Sequence, residues 1–74
     1  MKKELFWAGV APSSCDVCST PINGEFIDGK VRGGGFAFMC LSCHTFGPGT
    51  GVLGIGFGQR YRKQPSGRFL KVEG

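Results

Sequence analysis

Four cysteines, Cys15, Cys18, Cys40 and Cys43, are the residues of this chain whose type and spacing could do chemistry; they form two C-x-x-C pairs with 21 residues between them. Two thiols separated by two residues face one point when the backbone turns tightly, so each pair supplies half of a tetrahedron. Together they complete the all-thiolate donor set of structural zinc sites, at a pair-to-pair spacing close to that of zinc ribbons and knuckles. The pattern predicts one Zn2+ per chain, held by all four. Disulfides are the first alternative, with three possible pairings, but the paired arrangement argues against them. Iron is the second, because rubredoxin-like proteins also use two C-x-x-C pairs; those proteins are acidic, whereas this chain carries a formal net charge of +4. Cys40-Leu41-Ser42-Cys43-His44 also has the form of a c-type haem attachment site. That use would require export and would leave Cys15 and Cys18 without a role. His44 reads as an imidazole at the surface or beside the ligands, since adjacent residues rarely both reach one metal.

A zinc ion closed by four cysteines has no position for an activated water. No nucleophile and base pair and no carboxylate dyad is legible either, so the expectation is a non-enzyme without a small-molecule substrate. Gly49-Thr50-Gly51-Val52-Leu53-Gly54 matches the G-x-G-x-x-G dinucleotide fingerprint, but no βαβ unit surrounds it and the residues after it read as strand.

The elements that must position the cysteines are short. At 74 residues the chain is one domain, and a core of that size rarely contributes more than about 3 to 5 kcal/mol. Structural zinc contributes about 10 to 16 kcal/mol in small peptides, so the metal is expected to decide whether the chain folds. Fourteen glycines and four prolines make the sequence rich in loops, while seven Phe, one Trp and one Tyr supply the apolar bulk. No apolar run approaches the roughly 18 residues that span a bilayer. Met1-Lys2-Lys3 before Leu5 to Ala11 imitates a short signal peptide, but Glu4 interrupts it, the apolar run is short and Pro12-Ser13-Ser14 is a poor lipobox, so a cytoplasmic, unexported chain is expected.

In chain order, residues 1–14 read as an N-terminal arm and residues 15–74 as a single four-cysteine domain. The first knuckle runs from Cys15 to Ile22. Glu25 to Arg32 reads as a hairpin about a two-residue Asp28-Gly29 turn, and Gly33-Gly34-Gly35 frees the chain to bend. Phe36 to Met39 is a short strand that delivers Cys40 and Cys43. From Leu53 to Arg62 the residues alternate, with Leu53, Ile55, Phe57 and Tyr61 on one side and Gly54, Gly56, Gly58, Arg60 and Arg62 on the other, which predicts a strand with a glycine-lined face. Gln64-Pro65-Ser66-Gly67 is a turn, and Phe69 to Val72 is the returning strand. The fold class is small, β-rich and metal-stapled, a zinc ribbon or knuckle with short β-hairpins and little helix.

Two partner surfaces follow. Glycine at alternate strand positions asks for a close neighbour, either the chain's own rings or a partner, and so small a core leaves apolar groups exposed. Phe6, Trp7, Gly54, Ile55, Gly56, Phe57 and Gly58 are therefore the candidate contacts for a protein partner, although Phe6 and Trp7 could instead cap the core. Residues 1–35 balance four bases against four acids, so the net charge lies on the C-terminal hairpin. There Arg60, Tyr61, Arg62, Lys63, Arg68 and Lys71 mix cations with an aromatic ring, the alternative contact surface, for nucleic acid.

With those residues in view, positions 15–74 resemble a family of small zinc-knuckle proteins of tailed bacteriophages, often encoded near virion structural genes. The resemblance rests on Cys15-Asp16-Val17-Cys18, Gly24 to Lys30, Met39 to His44, Gly58-Gln59-Arg60-Tyr61 and Lys71-Val72-Glu73-Gly74. Members tend to carry Trp near Phe36 and a polar or basic residue where this chain has Phe57. The resemblance implies a phage origin and a zinc knuckle. With the family's genes often near virion structural genes and the partner surfaces above, the expectation is a virion-associated protein (minor capsid, cement or assembly component) whose partner is a capsid or other virion protein, in the host cytoplasm during infection and in the particle.

Overall fold

A computed structural model describes residues 4–74; residues 1–3 of the arm, with Lys2 and Lys3, lie outside the described residues. Four antiparallel strands form one sheet: β1 (Glu25–Lys30), β2 (Phe36–Met39), β3 (Gly58–Lys63) and β4 (Phe69–Glu73), in the order β2-β1-β3-β4. A single short helix, α1 (Leu41–Phe46), follows β2. The chain is small and β-rich, with four clustered cysteines, as its spacing and composition imply. Among the described residues no helix is long and apolar enough to cross a membrane.

Two expected elements are corrected. Asp28 and Gly29 are not a turn but the middle of β1, paired with Phe38 and Ala37 on one side and with Gln59 and Gly58 on the other. The reversal comes at Val31–Gly35, where Gly34 and Gly35 take φ of 102° and 80° and the Val31 N–H donates to Gly35 O. Gly29 serves another purpose: a Cβ there would sit 2.9 Å from Ile27 Cγ2 and 3.1 Å from His44 Cδ2, so its missing side chain lets α1 close on the sheet. The second correction is the glycine-lined strand. Gly54-Ile55-Gly56-Phe57 is a β-turn closed by Phe57 N–H to Gly54 O at 2.9 Å, with Gly56 at φ 85°, as a type II turn requires at its third position. Gly54 and Gly58 then bond each other through both N–H groups. Gly54 and Gly56 face open space, while a Cβ on Gly58 would strike Asp28 O and Gly29 Cα at 2.5 and 2.7 Å. The repeated glycines thus serve the backbone itself: among the described residues no ring lies across Gly54 or Gly56.

Side chains alternate across the sheet, and each face is covered differently. On one face Phe26, fully buried, stacks on Tyr61 at 5.1 Å and meets Phe69 at 5.0 Å. The Trp7 ring lies edge-on to Phe26, Phe38 and Tyr61 at 5.5, 5.3 and 5.3 Å. The opposite face buries Ile27 and Met39 beneath His44 of α1. Both edges of the sheet are occupied. The arm pairs with β4 through the Phe6–Leu70 bridge, Trp7 N–H to Phe69 O and Lys71 N–H to Leu5 O, and the first knuckle lies along β2. Short, covered edges block strand addition by another chain.

Candidate metal centre

Each cysteine is placed by backbone hydrogen bonds local to its knuckle. In the first, Cys15 N–H donates to Thr20 O and Ser19 N–H to Cys15 O, both at 2.9 Å, folding the chain back on itself. The turn puts Ser19 at φ 64°, the one described non-glycine residue with positive φ. Asp16 fixes the knuckle to the sheet: its N–H donates to Phe38 O at 2.8 Å, and its carboxylate accepts from Phe38 N–H at 3.0 Å. In the second knuckle Cys40 leaves β2 with extended backbone (ψ 163°) and occupies the N-cap position of α1 without a side-chain capping bond, and Cys43 follows inside the helix. Cys43 O accepts from the N–H groups of Gly47 and Gly49 at 3.0 and 3.1 Å. Both knuckles therefore hang from β2, and the sheet sets the distance between them.

The four sulfurs lie within 4.8 Å of one another, with Cys18 Sγ and Cys40 Sγ 3.8 Å apart. A tetrahedral ion with metal–sulfur bonds of about 2.3 Å has sulfur–sulfur edges of about 3.8 Å, so the cluster has the size that one metal ion needs. All four thiols are free. Cys15 is buried, Cys18 exposed, and the other two half-buried.

The thiols of the group are tuned unequally. Hydrogen bonding to the Thr20 hydroxyl, 3.1 Å away, and to its backbone brings the Cys18 thiol down to about 6; against a thiolate the hydroxyl can only donate. Burial pushes Cys15 up, but backbone N–H groups of Cys18, Cys40 and Val17 outweigh it and leave the thiol lowered; the Val17 N–H lies 3.4 Å from its sulfur. Cys43 is pushed up to about 12 by burial and by the neighbouring sulfurs of Cys40, Cys18 and Cys15. Like charges at this distance cannot all form unaided, and a bound divalent cation is what would make four thiolates compatible.

His44 is almost fully buried, and its Nε2 has no hydrogen-bond partner among the described residues. It is not a surface residue. The ring is wedged between Gly29 and Gly49, where a Cβ would come within 3.1 and 3.0 Å of its Cδ2. It stands outside the sulfur cluster and joins the cysteine-bearing helix to the centre of the sheet.

The other candidate residues are dispersed. Trp7 is part of the aromatic core, and Phe6 lies under the Arg68 guanidinium, whose Cζ is 4.1 Å from the ring centroid. Ile55 is 95% exposed and Phe57 43%. Arg60 contacts Glu25 at 2.7 Å and Glu73 at 3.3 Å, and Arg62 reaches Glu25 at 3.4 Å. The hydrogen bond to Glu25 raises the Arg60 pKa further. Burial pushes Glu25 up, but Arg60 and then Arg62 outweigh it and hold the carboxyl below its ordinary range. Tyr61 is stacked on Phe26, so its ring is not a free platform, whereas Lys63, Arg68 and Lys71 have no acidic partner among the described residues. Sequence reasoning missed Thr20 and Asp16 as supports of the knuckle, and Glu25 as the counter-ion of the arginines. Only the first two carried a signal, their position in and just after the C-x-x-C pair.

Compared with family profiles, curated proteins and solved structures, the chain matches none. What fold and site define is a small antiparallel sheet whose two knuckles bring four cysteines together where they could hold one metal ion.

Proposed function

We propose that the chain is a non-enzymatic interaction protein built on one structural Zn2+, and that it is a virion-associated protein of a tailed bacteriophage, docking on a capsid or other virion protein. The phage assignment, with the host cytoplasm and the particle as its locations, rests on the resemblance of residues 15–74. Zinc is the ion favoured by four thiolates at tetrahedral spacing in a basic chain. With every coordination position taken by cysteine, the ion serves the fold and leaves no place for a water nucleophile.

The observation that carries the docking reading is Ile55, an aliphatic side chain 95% exposed at the tip of a turn closed by its own backbone bonds. Phe57 and Val52 are exposed beside it in sequence, and exposed apolar patches mark interaction sites. The alternative, nucleic-acid binding by the C-terminal hairpin, keeps Lys63, Arg68 and Lys71 but loses Arg60, and part of Arg62, to Glu25 and Glu73.

Particle incorporation tests the two readings. An Ile55→Ser chain that keeps one zinc should be missing from purified particles, and a chain with Lys63, Arg68 and Lys71 all changed to Gln should be present. Normal incorporation of the Ile55 variant, with salt-sensitive oligonucleotide binding lost in the triple variant, would establish the alternative.

A further inference from the structure

The end of the sheet that carries Ile55 also carries unpaired positive charge. Lys30, the last residue of β1, is paired with Phe36 across the hairpin, and its N–H donates to Phe57 O at 2.9 Å on the other side. Its ammonium stands 5.9 Å from the centroid of the Phe57 ring. Phe36 is 58% exposed, and Arg32 lies in the exposed turn that follows. Neither Lys30 nor Arg32 has an acidic partner among the described residues. Of the described acids, Glu25 and Glu73 hold arginines, Asp16 holds the first knuckle, Glu4 lies on the arm, and Asp28, part-buried two residues before Lys30, makes no ion pair with it.

We infer that this sheet end docks a protein segment that is both apolar and acidic, with Ile55, Phe36 and Phe57 making the apolar contact and Lys30 and Arg32 meeting carboxylates. The inference rests on the docking reading above and specifies its partner. Three features favour that occupant over others. Ile55, the most exposed of the three apolar side chains, has no ring face on which a base could stack, and Lys30 already stands over the Phe57 ring, which argues against single-stranded nucleic acid. A second copy of the chain would bring Lys30 and Arg32 against their own like charges. The hydrogen-bonded turn holds Ile55 in place before any partner arrives, so little ordering entropy remains to oppose docking.

The test uses the full zinc-loaded chain and four probes: a synthetic amphipathic peptide of leucine and glutamate, the same peptide with lysine for glutamate, a 20-nucleotide oligo(dT), and the chain alone in sedimentation. The Ile55 methyl signals report the site, and zinc content together with Trp7 fluorescence reports the fold. The acidic peptide should shift the Ile55 methyls and bind at least tenfold tighter than its lysine counterpart. Ile55→Ser, and separately Lys30→Gln with Arg32→Gln, should each weaken it about tenfold at unchanged zinc content. Equal binding of the two peptides, or no effect of the double charge variant, overturns the acidic partner while leaving apolar docking standing. Oligo(dT) binding that Phe36→Ala and Phe57→Ala abolish, or a dimer that Ile55→Ser dissolves, overturns the inference together with the docking reading on which it rests.

Discussion

Replacing Gly58 by alanine separates two uses of glycine that sequence alone cannot tell apart. Gly58 has φ 137°, and a Cβ there would lie 2.5 Å from Asp28 O and 2.7 Å from Gly29 Cα. Both obstructing atoms are backbone of the central strand, so no side chain can swing away to relieve the contact. Left-handed backbone costs an L residue about 1–2 kcal/mol, and forcing an extra methyl into a packed site adds about 1–3 kcal/mol, for a combined loss of about 2–5 kcal/mol. Gly56→Ala is the control: it has φ 85° but nothing within 4 Å of its Cβ, so it should show the backbone cost alone, about 1–2 kcal/mol. Guanidinium denaturation at a fixed, buffered free zinc concentration, followed by Trp7 fluorescence, measures both; holding free zinc constant matters because ligand binding shifts apparent stability. Equal losses in the two variants, or a neutral Gly58→Ala, would refute this reasoning.

In the first knuckle, Ser19→Gly should be neutral or stabilising by up to about 1 kcal/mol, because it relieves the left-handed strain while adding unfolded-state entropy; a clear loss by the same denaturation assay contradicts the assigned backbone. Trp7→Ala, followed by circular dichroism because it removes the fluorophore, should cost about 3–5 kcal/mol, and unchanged stability would mean that the arm is not part of the core. Glu25→Gln should cost about 1 kcal/mol or less, a difference that shrinks in high salt; a loss indifferent to salt would show that Glu25 acts by something other than its charge. Thiolates bound to zinc have pKa values far below the roughly 8.5 of free cysteine, so their contribution is present at high pH and is lost as pH falls. Near and below neutrality stability should fall by up to about 5 kcal/mol per pH unit if four protons are taken up. An acid transition with the slope of a single proton would contradict a four-thiolate site.

The clustering of the four cysteines was legible because its information is local: two residues between thiols fix a turn whatever the rest of the chain does. β2, the Gln64–Gly67 turn and the returning strand were legible for the same reason. Glycine was not. Asp28-Gly29 has the composition of a hairpin turn, but Gly33-Gly34-Gly35 a few residues later is the better place to reverse, and Gly29 is needed flat beneath His44. The Gly54–Gly58 repeat imitates strand alternation, because a type II turn and a strand with one bare face can share one string of residues. His44 was unreadable for want of any mark of burial, since the glycines that receive it, Gly29 and Gly49, look like loop residues. The basic patch read from composition overstated the free charge because Glu25, 35 residues before Arg60, reaches it only through the β1–β3 register.

If one zinc ion, held by Cys15, Cys18, Cys40 and Cys43, staples this sheet together, metal and fold must come and go as one. Elemental analysis of the purified chain, followed by chelation monitored through Trp7 fluorescence, measures both. One equivalent of zinc is expected, with loss of the folded signal as the metal is withdrawn and recovery when zinc returns. Iron in place of zinc, four oxidised thiols, or a chain that keeps its folded signal without metal would contradict the zinc staple.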